Sequence, residues 1–323
     1  MSSRALWLGG GILAAFAVGI LAGAVSLRPA EVWAGLVNPA SPSASIVREL
    51  RVPRVLLAFV VGGSLGVCGG ALQAMIRNPL ADPYLLGLSG GSGLGAVVAI
   101  SLGGGGRLSV PLAAFAGAIL AIALVYRLSV VEGRRMDVRV LLLAGVVVGA
   151  FAVAVMSAVI ALSDSSQLRN AFLWLLGGFG GASWQGLGTF TLYATIPLVL
   201  LFANARALDL LALGEDSAQH LGVDLERTKR VVYLSTGLLT AVGVATCGII
   251  GFVGLVVPHA VRRLWGPLHR TLLPITFFVG GAFLVLADAL ARTVVRPLEL
   301  PVGVVTALVG VPLFALLLRR TLA

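Results

Sequence analysis

Ten long apolar runs, joined by short connections, are the feature that most limits how this chain can fold. They cover residues 5–26, 55–76, 85–102, 109–126, 139–162, 189–203, 231–250, 252–264, 271–291 and 302–318. A helix that crosses a bilayer takes about 20 apolar residues. Ten of them use most of a 323-residue chain and leave little for a soluble domain. Composition agrees: 59% of residues are apolar, 11% are charged, and the mean hydropathy is +1.04. Soluble domains carry about 25% charge, so an ordinary cytosolic enzyme is excluded. A disordered chain needs low hydrophobicity and high charge, and is excluded too. The expected fold is all-α: one polytopic membrane domain over residues 1–323, with about ten transmembrane helices.

The least certain division is within 231–264, a nearly continuous apolar run broken by Gly248, Gly251 and Gly254. It is too long for one span and has room for one long and one short helix. A shorter apolar helix at 168–177 lies too close to its neighbours to span. The run after Arg4 is long for a signal-peptide core and no cleavage site of the A-x-A kind follows, so it reads as a retained first helix.

Orientation follows from the loop cations. With the N-terminus inside, fifteen Arg and Lys residues fall on the cytoplasmic side and eight on the outer side. Both termini are then cytoplasmic. The net charge of +10 is this topology written into composition, with no single basic patch for nucleic acid. The outer positives, Arg48, Arg51, Arg54 and Arg292 among them, exceed what topology needs.

Several motifs bear on chemistry. Gly62, Gly66 and Gly70 form a small-residue stripe, and Gly145 and Gly149 repeat its spacing; such stripes let helix backbones approach in a membrane. Gly91 to Ala96 matches a dinucleotide fingerprint in letters, but no strand precedes it and no suitable acid follows. The one lysine, Lys229, follows Thr228, so no P-loop exists. ATP-driven work would need a separate ATPase chain. His220, His259 and His269 have no metal-ligand spacing, so no metal site is assigned. Cys68 and Cys247 lie far apart in apolar runs and read as packing residues. No nucleophile–base set suggests an enzyme. Coupled carriers place ionisable groups inside their spans, and these spans hold almost none, which suits a conduit powered from elsewhere. The alternative is a secondary transporter or channel working without an ATPase.

The 204–230 connection is the longest on the cytoplasmic side. Leu213, Ala218, Leu221 and Leu225 recur at helical spacing, and Gly214 and Gly222 break the segment into short helices. It is either an interfacial helix or a knob that fills a groove on a soluble partner.

These residues together resemble the FecCD-type permease subunits of bacterial ATP-binding-cassette (ABC) importers for iron–siderophores, haem and vitamin B12. The resemblance rests on Arg51-Val-Pro-Arg54, on Gly70-Ala-Leu-Gln73 through Asn78-Pro-Leu-Ala-Asp-Pro83, and on Leu213-Gly214-Glu215 with Ala218 and Leu221-Gly222. It continues in Gly251 to His259, Ala287-Asp288 with Ala291-Arg292, and Glu299 to Thr306. It implies the vitamin B12-permease-like (type II importer) fold in the bacterial cytoplasmic (inner) membrane, and a dimer, simplest as a homodimer, around a central path. It implies two ATPase subunits, which hold the ATP and Mg, and an extracytoplasmic binding protein that delivers a metal chelate. It gives no cofactor to this chain. Leu213, Gly214, Glu215, Ala218, Leu221 and Gly222, within a segment at 205–229, would be the ATPase-coupling element. Arg51, Arg54 and Arg292 would dock the binding protein, so charge reversal at Arg51 and Arg54 is expected to spare the fold; interfacial snorkelling is their other reading. Asn78 and Leu80 would lie near a cytoplasmic gate. Gly177 to Trp184 resembles the vitamin B12 branch of the family more than the siderophore branch.

Overall fold

The structure is a computed structural model; it describes residues 2–103, 108–131 and 135–322. Arg107 and Arg134, counted above among the loop cations, lie outside the described residues. The elements run α1 (Ser2–Leu21), α2 (Pro29–Val37), a π-helical turn (Ile46–Arg51), α3 (Val52–Ile76), a 3-10 turn (Pro83–Leu86), α4 (Leu88–Ser101) and α5 (Ser109–Ser129). A two-residue hairpin follows, β1 (Val130–Val131) with β2 (Arg135–Met136). Then come α6 (Val138–Ala161), α7 (Ser165–Leu175), α8 (Trp184–Ala203), α9 (Ala205–Ala212) and α10 (Glu215–His220). The chain ends with α11 (Leu225–Cys247), α12 (Val253–Trp265), α13 (His269–Ala291) and α14 (Val302–Leu322).

Each of the ten apolar runs becomes one of α1, α3, α4, α5, α6, α8, α11, α12, α13 and α14. Among the described residues, seven of these helices are long and apolar enough to cross a membrane. The 231–264 run divides at 248–252: Gly248, at positive φ (72°), ends the first helix, and Phe252, left-handed (φ 70°), precedes the second. The 168–177 stretch forms the short α7. The second run starts earlier than its apolar letters suggest, because the turn at 46–51 feeds directly into α3 and gives a continuous span from Ile46 to Ile76.

α3 is the axis of the fold, with most of its residues buried from Val55 to Met75. It packs along α13, with α11 and α12 beside it. The glycine stripe explains how. A Cβ on Gly62 would collide with the Gly280 carbonyl oxygen, and one on Gly280 would lie 2.6 Å from the Gly62 oxygen. Gly69 meets the backbone of Gly254 in the same way. Lipid tails are as apolar as leucine, so close backbone contact and dispersion hold such helices together. Gly91 and Gly95, letters of the apparent nucleotide fingerprint, sit against Gly117 and Ala113 of α5. Their role is packing. Polar residues finish the helix ends. Asp137 accepts from the amides of Arg139 (2.7 Å) and Val140 (3.3 Å), and Asp224 accepts from that of Arg227 (3.0 Å).

Leucine at Gly62 is expected to separate α3 from α13 and cost about 3 kcal/mol, the upper end of the usual range for overpacking. Leucine at Gly10, where a Cβ meets nothing within 4 Å, serves as the control. Thermal unfolding in detergent should show a clear loss of stability for Gly62→Leu and none for Gly10→Leu.

Candidate functional site

Two regions hold the residues singled out by sequence. The first is the cytoplasmic knob. α9 buries Ala205, Leu208 and Leu211 against the bundle. Gly214 (φ 124°) then turns the chain into α10, and Gly222 (φ 83°) turns it out again. The Ala218 amide donates to the Gly214 carbonyl and the Val223 amide to the Ala218 carbonyl, both at 3.0 Å, closing the knob on itself. Six named residues divide into two groups. Leu213 is 70% exposed and Leu221 61% exposed, one on each side of α10. Ala218 is fully buried. Glu215 turns toward the protein and pairs with Lys229 at 2.7 Å. The outward anchors are therefore the two leucines, while Ala218, Glu215 and the glycines shape their support.

Beside the knob lies the turn after α3. Arg77 caps that helix in the left-handed region (φ 54°). Asn78 Oδ1 accepts from the Leu80 amide at 2.9 Å, a side-chain turn that leaves Leu80 42% exposed. The turn is fixed from behind by Gln73, one of the motif letters that carry the family resemblance. Gln73 is 3% exposed. Its Nε2 donates to the Gly254 and Leu255 carbonyls, each at 3.3 Å, and its Oε1 accepts from Arg262 Nη1 at 3.0 Å. One buried amide thus ties the end of α3 to the start of α12. Gln73 stands in a motif quoted above; its pairing with Arg262 across 189 residues was not visible in the sequence.

The second region is the outer arginine cluster, where the structure gives the three arginines partners inside the chain. Arg51 is 4% exposed and Arg292 2% exposed. Arg51 donates to the carbonyls of Ile20 (2.8 Å), Leu21 (2.9 Å) and Val25 (2.6 Å). Arg292 donates to those of Gly19 (3.0 Å) and Ala22 (2.7 Å) and pairs with Asp288 at 2.9 Å. The last carbonyls of a helix lack intrahelical donors and carry the negative end of its dipole. Two guanidiniums cap the end of α1. Arg48 does the same for α2, donating to Gly35 (3.0 Å) and Leu36 (2.5 Å). Neither Arg51 nor Arg292 presents a free charge outward. The expectation that reversing Arg51 spares the fold is withdrawn, because glutamate there would face bare carbonyl oxygens.

Arg54 differs. Its side chain keeps 13% exposure and bridges Asp288 (2.8 Å) and Glu299 (2.9 Å). Asp288 is fully buried and shared by Arg54 and Arg292. A buried carboxylate is tolerated only when paired, and here it has two partners. Among the described residues no group of three or more His, Cys, Asp or Glu is placed to hold a metal. Cys68 and Cys247 are buried free thiols.

A multi-pass helical bundle, knotted by glycine contacts and carrying a leucine-tipped cytoplasmic knob, defines a membrane permease. Its sequence matches the FecCD transport family over residues 11–320, and the chain belongs to that family. The vitamin B12 import system permease protein BtuC of Shigella boydii is 39% identical over 305 residues, 93% of this chain and 92% of that one. The cobalamin import system permease protein BtuC of Halobacterium salinarum is 43% identical over 274 residues, 85% of this chain and 73% of that one. A solved metal-chelate-type ABC transporter in an inward-facing conformation superposes with a TM-score of 0.89 at 30% identity. It covers 99% of this chain and 100% of the other. The chain is a multi-pass permease subunit of an ABC importer in the cytoplasmic membrane, and ATP hydrolysis belongs to a separate subunit.

Alanine at Asp288 would leave two guanidiniums short of their carboxylate. Breaking a buried pair by removing one partner costs about 3–5 kcal/mol. Asp288→Ala is expected to lower the unfolding midpoint sharply, and Arg51→Glu to do likewise. Glu299→Gln, at the exposed edge of the cluster, is expected to change it little. Thermal unfolding of the three variants side by side checks the order.

Proposed function

We propose that the cargo is a corrinoid chelate of the cobalamin class, and that the 213–222 knob is where ATPase motion enters this chain. The observation that carries the reading is the pair of exposed leucines, Leu213 and Leu221, held on either side of an α10 that is itself anchored inward through Glu215 and Ala218. A soluble ATPase groove gains by burying both side chains, at about 25 cal/mol per Å² of apolar surface removed from water. The anchored base then passes the push on rather than absorbing it. The cargo assignment is supported by the relatives named for cobalamin and vitamin B12 import.

The assembly we propose has two copies of this chain around a central path and two ATPase subunits below, which bind ATP and Mg. A binding protein sits above. Closing of the ATPases on ATP must favour one state of the permease pair over the other, since a ligand shifts an equilibrium only by its differential affinity. The knobs carry that preference upward. The turn at Asn78 and Leu80, fixed by Gln73 against α12, forms part of the inner constriction. On the outer face we assign docking to Arg54. Its partner Glu299 is 35% exposed, which supports exchange of that contact for a carboxylate of the binding protein. The secondary-transporter alternative has no use for an anchored knob.

The test is reconstitution in liposomes with the neighbouring ATPase and binding protein, followed by uptake of labelled cobalamin, haem or a ferric siderophore. ATP-dependent accumulation of cobalamin alone is the expected result. Accumulation of another chelate overturns the cargo, and accumulation without ATP overturns the importer mechanism. In the same system Leu221→Asp is expected to cut uptake by about tenfold or more, the scale of coupling free energies. Wild-type uptake by this variant would remove the knob from the mechanism.

A further inference from the structure

Lys229 is the one lysine of the chain, every other fixed cation being arginine. It lies in the first turns of α11, where an exposed cation would be ordinary, yet it is 3% exposed. Its ammonium reaches three structures at once. It donates to Glu215 of α10 at 2.7 Å and to the backbone carbonyl of Met136 at 3.2 Å. Glu226, one turn back on α11, lies 4.0 Å away. Glu226 in turn accepts from the Met136 amide at 2.9 Å. The Met136 backbone, at the end of the hairpin between α5 and α6, is thus held by a cation at its carbonyl oxygen and an anion at its amide hydrogen.

A buried ammonium is costly unless its donors are satisfied. Its compact head, with three rotatable donors on a flexible stem, suits a junction of carboxylates and a carbonyl arriving from different directions. The planar fork of arginine, used everywhere else here, suits flat bidentate partners such as Asp288. The surroundings are equally specific. Next to the junction is a cavity of about 660 Å³, lined by Arg77, Glu215, Gln219, Asp224, Glu226 and Lys229 among others. The knob is therefore not packed solidly against the bundle on this side. Here α10 meets the hairpin through the polar junction. α11 itself packs on α3, α5 and α8.

We propose that Lys229 is the positioning residue that transmits displacement of α10 to the α5–α6 hairpin and the base of α11. This rests on the coupling reading of the knob given above and adds the route beyond it. A push on α10 moves Glu215. Glu215 draws the ammonium, and the ammonium carries Met136 and with it the cytoplasmic ends of α5 and α6. Without Lys229 the cavity lets α10 shift while the hairpin stays.

Hydrogen exchange followed by mass spectrometry on the permease–ATPase complex in lipid nanodiscs tests this, with and without ATP and vanadate. In the wild type, nucleotide is expected to change exchange both in α10 and at residues 130–137. In Lys229→Met the α10 response should persist and the response at 130–137 should vanish; Lys229→Arg, which keeps the charge but not the compact head, should restore only part of it. A merely structural role would disturb both regions equally. Should Lys229→Met fail to assemble, Glu215→Ala removes one strut and leaves Lys229 its other two contacts, with the same loss expected at 130–137. An undiminished hairpin response in the variant that assembles overturns the proposal. So does a wild-type hairpin that ignores nucleotide while α10 responds. If α10 itself shows no response in the wild type, the coupling reading falls first and this proposal with it.

Discussion

The close approach of two backbones, α3 at Gly62 and α13 at Gly280, sets the geometry on which everything else depends. A membrane removes the hydrophobic effect as a force between helices. What remains is contact, and contact is best where no side chain intervenes. The two helices meet at these glycines and run antiparallel. That pairing sets the distance between Arg54 at one end of α3 and Asp288 near the end of α13, a bidentate contact with both nitrogens within 3.1 Å. Toward the other end it places Gln73 within reach of α12. The outer salt cluster and the inner polar tie are consequences of one packing line.

Charge is used sparingly and with a division of labour. On the outer face arginines cap helix ends and surround one buried carboxylate. α1 and α2 finish short of a conventional cap, and Arg51, Arg292 and Arg48 satisfy their last carbonyls from other parts of the chain. These contacts explain why the outer side carries more cations than topology needs. On the cytoplasmic side the single lysine joins three elements, and the knob it supports shows two leucines to the solvent. The inner face keeps a cavity beside α10.

Much of this was legible in the letters. Ten apolar runs gave ten helices, because apolar length is a direct physical requirement for spanning. The two glycines of the knob marked its turns, because a left-handed backbone favours glycine. The division of 231–264 was visible as glycines but not placed, since Phe252 takes a positive φ that no single-residue preference would suggest. The internal partners of Arg51 and Arg292 were not legible. Their motif letters say only that arginines stand there; whether a guanidinium faces a partner protein or a bare helix end depends on where α1 stops in space. Lys229 was counted but not understood for the same reason. Its partners Glu215 and Met136 lie 14 and 93 residues away in sequence.

The central claim is that the 213–222 knob is the surface through which an ATPase drives this permease. Site-directed crosslinking tests it most directly. A cysteine at Leu221, in a variant lacking Cys68 and Cys247, is expected to crosslink to the copurified ATPase in high yield. A cysteine at Leu192, exposed on the apolar flank of α8, is expected to give none. Crosslinking at Leu192 with none at Leu221 would contradict the account.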